Sequence, residues 1–126
     1  TTQRNLDETG RAQARGLGDR FRAAGISRAA VFTSAWCRCR ETAELLGLGP
    51  VQTLPPLNSF FRQWEREQAQ TAALRDWLVA RAGDGLLVLV SHQVNISALT
   101  DVSTRSGEML FMRVARDGTI EVLGSI

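Results

Sequence analysis

The sequence predicts an α/β fold: three layers, α/β/α, around a mainly parallel sheet, with a closing β-hairpin at the C-terminus. Three observations carry this. Short apolar runs alternate with longer segments of helical period, in the order helix, strand, helix, then helix, strand, helix. A strand–helix–strand succession implies right-handed crossovers and parallel pairing. Two strand-like runs at the end are separated only by a short turn, which is the signature of a hairpin.

Asp7 and Glu8 are acids where a helix N-terminus favours them. From there to Ala24, the residues Ala14, Leu17, Phe21 and Ala24 recur at steps of three and four and mark one buried face. Gly10, Gly16 and Gly18 lower helix propensity but permit close backbone packing, and Gly25 supplies a stop. AAVFTS, Ala29 to Ser34, is a buried strand feeding a loop. A second helix covers roughly Arg38 to Leu46, with Ala43, Leu45 and Leu46 available for burial, and Gly47 and Gly49 close it. In VQTLPPLNSFF the Pro55-Pro56 pair forbids regular helix, so a surface loop is expected. A third helix runs from about Glu67 to Ala82 with Leu74, Trp77 and Leu78 inward. After a Gly83-Asp84-Gly85 turn, LLVLV is the most strand-like segment, and His92 to Leu99 reads as a short helix. GEMLFMRV and TIEVLG, separated by Ala115 to Gly118, form the hairpin.

At 126 residues the chain is expected to be a single domain, 1–126. A hydrophobic fraction of 44% with 22% charged residues argues against disorder. No apolar run approaches the roughly 18 residues of a membrane span. All fifteen basic residues are arginine; these are scattered among acids, which argues against a nucleic-acid face. A coding bias accounts for that usage, although the arginine fork also matches phosphate and carboxylate. The chain opens without methionine or a signal-like segment, and an upstream part is therefore expected.

In parallel sheets functional groups gather at the carboxyl ends of strands. Two polar clusters fall there: Thr33-Ser34 through Arg40, and Ser91-His92-Gln93. His92 is the sole histidine. It is either a helix-capping residue at the core edge or a catalytic imidazole, and its place after the strongest strand favours function. Arg38, in the first turn of a helix, either lies on an exposed face or joins the helix-terminal N–H groups in gripping a phosphate. Arg40 is expected to pair with Glu44 at i,i+4. Cys37 and Cys39 are too close on a helix for an unstrained disulfide, and with one histidine they fall short of a tetrahedral zinc set. Small buried thiols are expected, with no metal and no cofactor.

DETGRAQARGLGDRFRAAGI, VFTSAWCRCRETAELL, LLVLVSHQVNISALT and SGEMLFMRV, in that order, resemble the histidine phosphatase superfamily, the phosphoglycerate mutase-like group. QRNL, CRCRETA and SHQVNISALT resemble its small bacterial phosphatase branch. The resemblance implies a histidine phosphatase-like fold and phosphomonoester hydrolysis through a phosphohistidine. It makes Arg38 a phosphate ligand, with Thr42 and Ala43 completing its phrase, and His92 the donor that stabilises the transferring phosphoryl group. Gln3, Arg4 and Asn5 match a segment bordering the pocket, and Gln93 follows the histidine; Arg4, Asn5 and Gln93 are the candidate substrate contacts. The substrate would be a phosphorylated small molecule or a phosphoprotein, and the address implied is periplasmic or exported.

Two departures accompany the resemblance. The family's nucleophilic histidine, in an R-H-G/A motif on a first strand upstream of QRNL, has no counterpart in these 126 residues. The general acid is also without one: after LPPL, where some relatives place glutamate, the chain reads Asn58-Ser59, and Glu108 is not assigned the role. The chain alone is thus expected to be inactive, with an exposed strand edge open to association with another chain. The alternative is a non-catalytic phosphate-binding or interaction module derived from the fold. A third reading makes His92 and Arg38 mere helix caps. In the first two readings the side chains of Arg38 and His92 should lie within about 10 Å, close enough to share one anion through charge-assisted hydrogen bonds.

Overall fold

A computed structural model describes residues 7–60, 63–82, 85–105 and 108–125. Its elements in chain order are α1 (Glu8–Ala23), β1 (Ala30–Thr33), α2 (Cys37–Leu46), β2 (Val51–Thr53), α3 (Glu67–Ala80), β3 (Leu87–Val90), α4 (Gln93–Thr100), β4 (Leu110–Val114) and β5 (Ile120–Ser125). Two single turns of 3-10 helix, Pro55–Leu57 and Trp64–Arg66, precede α3. The mixed α/β architecture matches the expected fold class: β2-β1-β3 is a parallel sheet, and β4-β5 an antiparallel hairpin. Two compact units divide the chain, one drawn from Thr1–Asn58 with Leu86–Ser91, the other from Ser59–Gly85 with His92–Ile126.

In the first unit β1 pairs with β2 from Val31↔Val51 to Thr33↔Thr53, and with β3 from Ala30↔Leu87 to Thr33↔Val90. β1 is thus the inner strand, and Val31, Phe32 and Thr33 are buried. β3 is only half-buried, and among the described residues it pairs on one side alone. Asp7 caps α1, its carboxylate accepting the Gly10 N–H at 2.8 Å. Gly25, with φ +86°, supplies the left-handed residue that follows the helix. α1 packs on α2 where Gly18 meets the end of α2; a Cβ at Gly18 would collide with the Leu46 carbonyl oxygen. Two turns earlier Arg11 also ties the two helices, its Nε donating to Glu41 at 2.9 Å, while its Nη1 donates to Glu8 at 2.7 Å.

In the second unit α3 buries Leu74 and Leu78 and packs on α4, which buries Asn95 and Leu99. Trp77 is half-buried with the Arg81 guanidinium stacked 4.0 Å from its ring centre. The hairpin turns through residues 115–119: Asp117 Oδ1 accepts the Thr119 N–H at 2.9 Å, and Gly118 takes φ +90°. A bulge at Phe111/Met112 interrupts its register.

Three local expectations need correction. Ala24 is exposed because it caps α1 and lies beyond the last turn; the buried face runs through Ala14, Gly18 and Phe21. VQTLPPLNSFF is not a surface loop throughout. Val51–Thr53 adds a strand, and the prolines start a 3-10 turn whose fixed φ they suit, with Leu57 and Phe60 1% exposed. Arg40 and Glu44 form no ion pair among the described residues. Both are exposed, and arginine four residues before glutamate is the weaker orientation of such a pair.

Candidate functional site

The carboxyl end of β1 is built from buried polar groups. Ser34 is 0% exposed; its N–H donates to the Val90 carbonyl at 3.0 Å, extending the β1–β3 ladder by one residue. Its Oγ accepts the Trp36 N–H at 3.1 Å and donates to Asn58 Oδ1 at 3.2 Å. The same Asn58 oxygen accepts the Ala35 N–H at 2.8 Å. Just past the neighbouring strand, Ser91 Oγ donates to the Leu57 carbonyl at 2.6 Å. Cys39, buried in the first turn of α2, points its thiol to the Ser91 carbonyl at 3.7 Å. Burial pushes the Cys39 thiol pKa up, and the nearby Ser34 hydroxyl and Arg38 charge oppose that only in part. Cys39 is thus a small buried thiol, as expected, and Cys37 is half-buried; both are unbridged. The ends of β1 and β3 and the Pro55–Leu57 turn are thus held to one another by side-chain hydrogen bonds that fix the entry to α2.

That entry is electropositive. Trp36 occupies the N-cap without a side-chain capping bond, and the first turn of α2 contains no acid. The positive end of the helix is therefore not neutralised by its own sequence. Arg38 is exposed in that first turn, and its guanidinium forms no ion pair among the described residues. Thr42 donates its hydroxyl back to the Arg38 carbonyl at 2.8 Å, and Ala43 is fully buried, so the residues completing the arginine's phrase hold the helix in place.

His92 follows β3 by two residues and is the N-cap of α4, in the second unit. Its carbonyl accepts the Asn95 and Ile96 N–H groups at 3.0 Å, whereas its half-buried side chain makes no capping bond. The imidazole is therefore not used as a helix cap. Gln93 Nε2 donates to the Thr104 carbonyl at 2.7 Å, tying the start of α4 to the loop after it. Arg4 and Asn5, with Gln3, lie outside the described residues. Glu108 accepts the Arg105 N–H at 2.9 Å. This bond and the Ser125 hydroxyl hold its carboxyl below the usual carboxylate range, the opposite of what a general acid needs.

Asn58 is the site residue that sequence reasoning passed over. Its only signal was polarity at a position where an acid was sought, and its two donors lie 23 and 24 residues away along the chain.

A sequence profile of the histidine phosphatase superfamily (branch 1) matches residues 1–82. No curated protein matches the chain closely enough to count as a relative. Among solved structures, the chain is similar to the protein histidine phosphatase SixA complexed with tungstate, with a TM-score of 0.80 at 15% identity over 98% of this chain and 83% of that one. It is similar to an Entamoeba histolytica phosphoserine phosphatase mutant holding phosphoserine (TM-score 0.73, 12% identity, 98% of this chain and 85% of that one). Bacillus stearothermophilus YhfR gives a TM-score of 0.70 at 22% identity, over 94% and 82% of the two chains. These likenesses concern the fold; the profile match over residues 1–82 concerns descent, and by it the chain belongs to the histidine phosphatase superfamily.

Proposed function

We propose that the chain contributes the arginine and the second histidine of a phosphoryl-binding site, and that the reaction served is phosphomonoester hydrolysis through a phosphohistidine. The observation that carries this reading is the parallel pairing of β1 with β3. It sends the segments leading to Arg38 and to His92 off the same edge of the sheet, where α2 presents an uncapped positive end. Arg38 would hold two phosphoryl oxygens through its fork, and His92 would donate to a third. Arg4, Asn5 and Gln93 would border the substrate. Tungstate and phosphoserine in two of the similar structures share a tetrahedral oxyanion head, which supports a phosphorylated substrate here.

In this route an imidazole nitrogen attacks phosphorus and the P–O bond to the leaving group breaks, its oxygen taking a proton. Water then cleaves the P–N bond to give phosphate and the free imidazole. His92 cannot attack and flank at once, so the attacking imidazole is not among these 126 residues. That single histidine is also the observation that favours the second reading, a module that binds phosphate without turning it over.

Tungstate binding measured by calorimetry tests the assignment. Arg38→Ala is expected to lose about 1.5–3 kcal/mol, the scale of a hydrogen bond to a charged group, and Arg40→Ala only a few tenths. Equal losses from both would remove Arg38 from the site. The 126-residue chain is expected to leave p-nitrophenyl phosphate unhydrolysed. Turnover abolished by His92→Ala would overturn the division of roles.

A further inference from the structure

Asn58 stands where two local rules favour an acid. Its Oδ1 accepts from two donors, the Ala35 N–H at 2.8 Å and the Ser34 hydroxyl at 3.2 Å. An ionised carboxylate accepts such bonds roughly twice as strongly as a neutral oxygen. The same oxygen is also close to a positive helix end. It is two hydrogen bonds from the Trp36 N–H, which donates to Ser34 Oγ at 3.1 Å, and Trp36 is the N-cap of α2. A carboxylate there would be favoured by the helix dipole. The chain nevertheless carries a carboxamide.

The neutrality extends beyond one residue. No ionisable side chain lies between Leu45 and Phe60 in the sequence, and none between Ala29 and Trp36. The acceptors described at this end of the sheet are the Asn58 carboxamide, the Ser34 hydroxyl and the backbone carbonyls of Leu57, Val90 and Ser91. The first turn of α2 adds no acid, and Arg38 adds a positive charge. The segments that position the start of α2 therefore leave its positive potential uncompensated. An oxyanion from outside is the group that would use it.

We propose that Asn58 is a positioning residue of the phosphoryl site, required as an uncharged acceptor. It fixes the Ser34–Trp36 segment that feeds α2 without competing, as a carboxylate would, with an incoming dianion. This rests on the phosphatase reading, which puts the oxyanion at Arg38 and the start of α2.

Asn58→Asp tests it, because that substitution keeps an acceptor oxygen and the side-chain shape and adds one charge. Tungstate, a dianion, and perrhenate, a tetrahedral monoanion, are titrated into the 126-residue chain by calorimetry at neutral pH. Coulomb energy scales with the charge of the ligand, so Asn58→Asp should weaken tungstate about tenfold and perrhenate only about threefold. Its thermal midpoint should stay at or above that of the unaltered chain, since the bonds from Ala35 and Ser34 become charge-assisted. Asn58→Ala removes the acceptor and should weaken both anions by one common factor. A purely structural role predicts equal losses in Asn58→Asp as well; equal losses, or none, would overturn the proposal. Absence of tungstate binding by the unaltered chain sinks the phosphatase assignment itself. Tungstate binding that depends on Arg38 but ignores the added charge at position 58 sinks only this inference.

Discussion

The two units treat their buried polar groups differently. In the first, Ser34 is fully buried and its Oγ has both an N–H donor and an Asn58 acceptor. Thr33, also fully buried, donates to the Ser34 carbonyl at 3.0 Å. In the second, Thr104 keeps a buried hydroxyl with no hydrogen-bond partner among the described residues. A satisfied network fixes one geometry, whereas an unsatisfied buried group costs free energy. The first unit therefore has the character of a rigid mount for the α2 entry, whereas the second carries an internal cost at Thr104.

Asn58→Ala and Thr104→Val should divide the units most sharply. The first substitution strips Ser34 and Ala35 of their shared acceptor, and urea unfolding should show a loss of about 1–3 kcal/mol. The second removes a hydroxyl that had no partner, and stability should be unchanged or raised by up to about 1 kcal/mol. A loss from Thr104→Val as large as that from Asn58→Ala would erase the contrast.

An effect of similar size is expected from two glycines of α1, and it sharpens the reading of the first unit as tightly mounted. Gly18→Ala forces a Cβ against the Leu46 carbonyl and should cost about 1–3 kcal/mol. Gly16 faces open space on the same helix, so Gly16→Ala should stabilise by up to about 1 kcal/mol through helix propensity. Thermal melts of both variants read the opposite signs directly.

The smallest effect belongs to the exposed carboxylates of the second unit. The Thr119 N–H and hydroxyl hold the Asp117 carboxyl below its ordinary range, and the Arg105 N–H together with Ser125 does so for Glu108. A depressed folded pKa stabilises above the unfolded value and loses that contribution as pH falls through the folded value. Acidification below the ordinary carboxylate range should therefore loosen residues 115–119 and the Arg105–Glu108 hydrogen bond before it affects Ser34 or Asn58. Amide exchange followed against pH checks this, and Asp117→Asn should flatten the response at Thr119.

What the sequence made legible follows from how far each signal reaches. VFT and LVLV are apolar enough to declare strands, and Asp7, Gly25 and Gly47 mark helix ends by local chemistry alone. Val51–Thr53 was illegible because three residues, two of them exposed, become a strand only by pairing with Val31–Thr33. Arg38 and His92 were singled out by position after strands, and the structure gives each the place expected along the chain. Asn58 and Thr104 escaped for the same reason as β2. Asn58 matters through donors far away in sequence, and Thr104 through burial that only the folded chain creates.

The order of the strands also bears on how the chain comes to be folded. β1 joins β3 across more than fifty intervening residues, so the first unit cannot close until Leu87–Val90 exists and has returned to Ala30–Thr33. Closing so long a loop is entropically costly, and non-local parallel pairing is slow to form. During synthesis α1, β1, α2 and β2 would wait, half-assembled, while α3 is made. The rate of folding should then be set by the arrival of one four-residue segment, the same one that leads directly into His92.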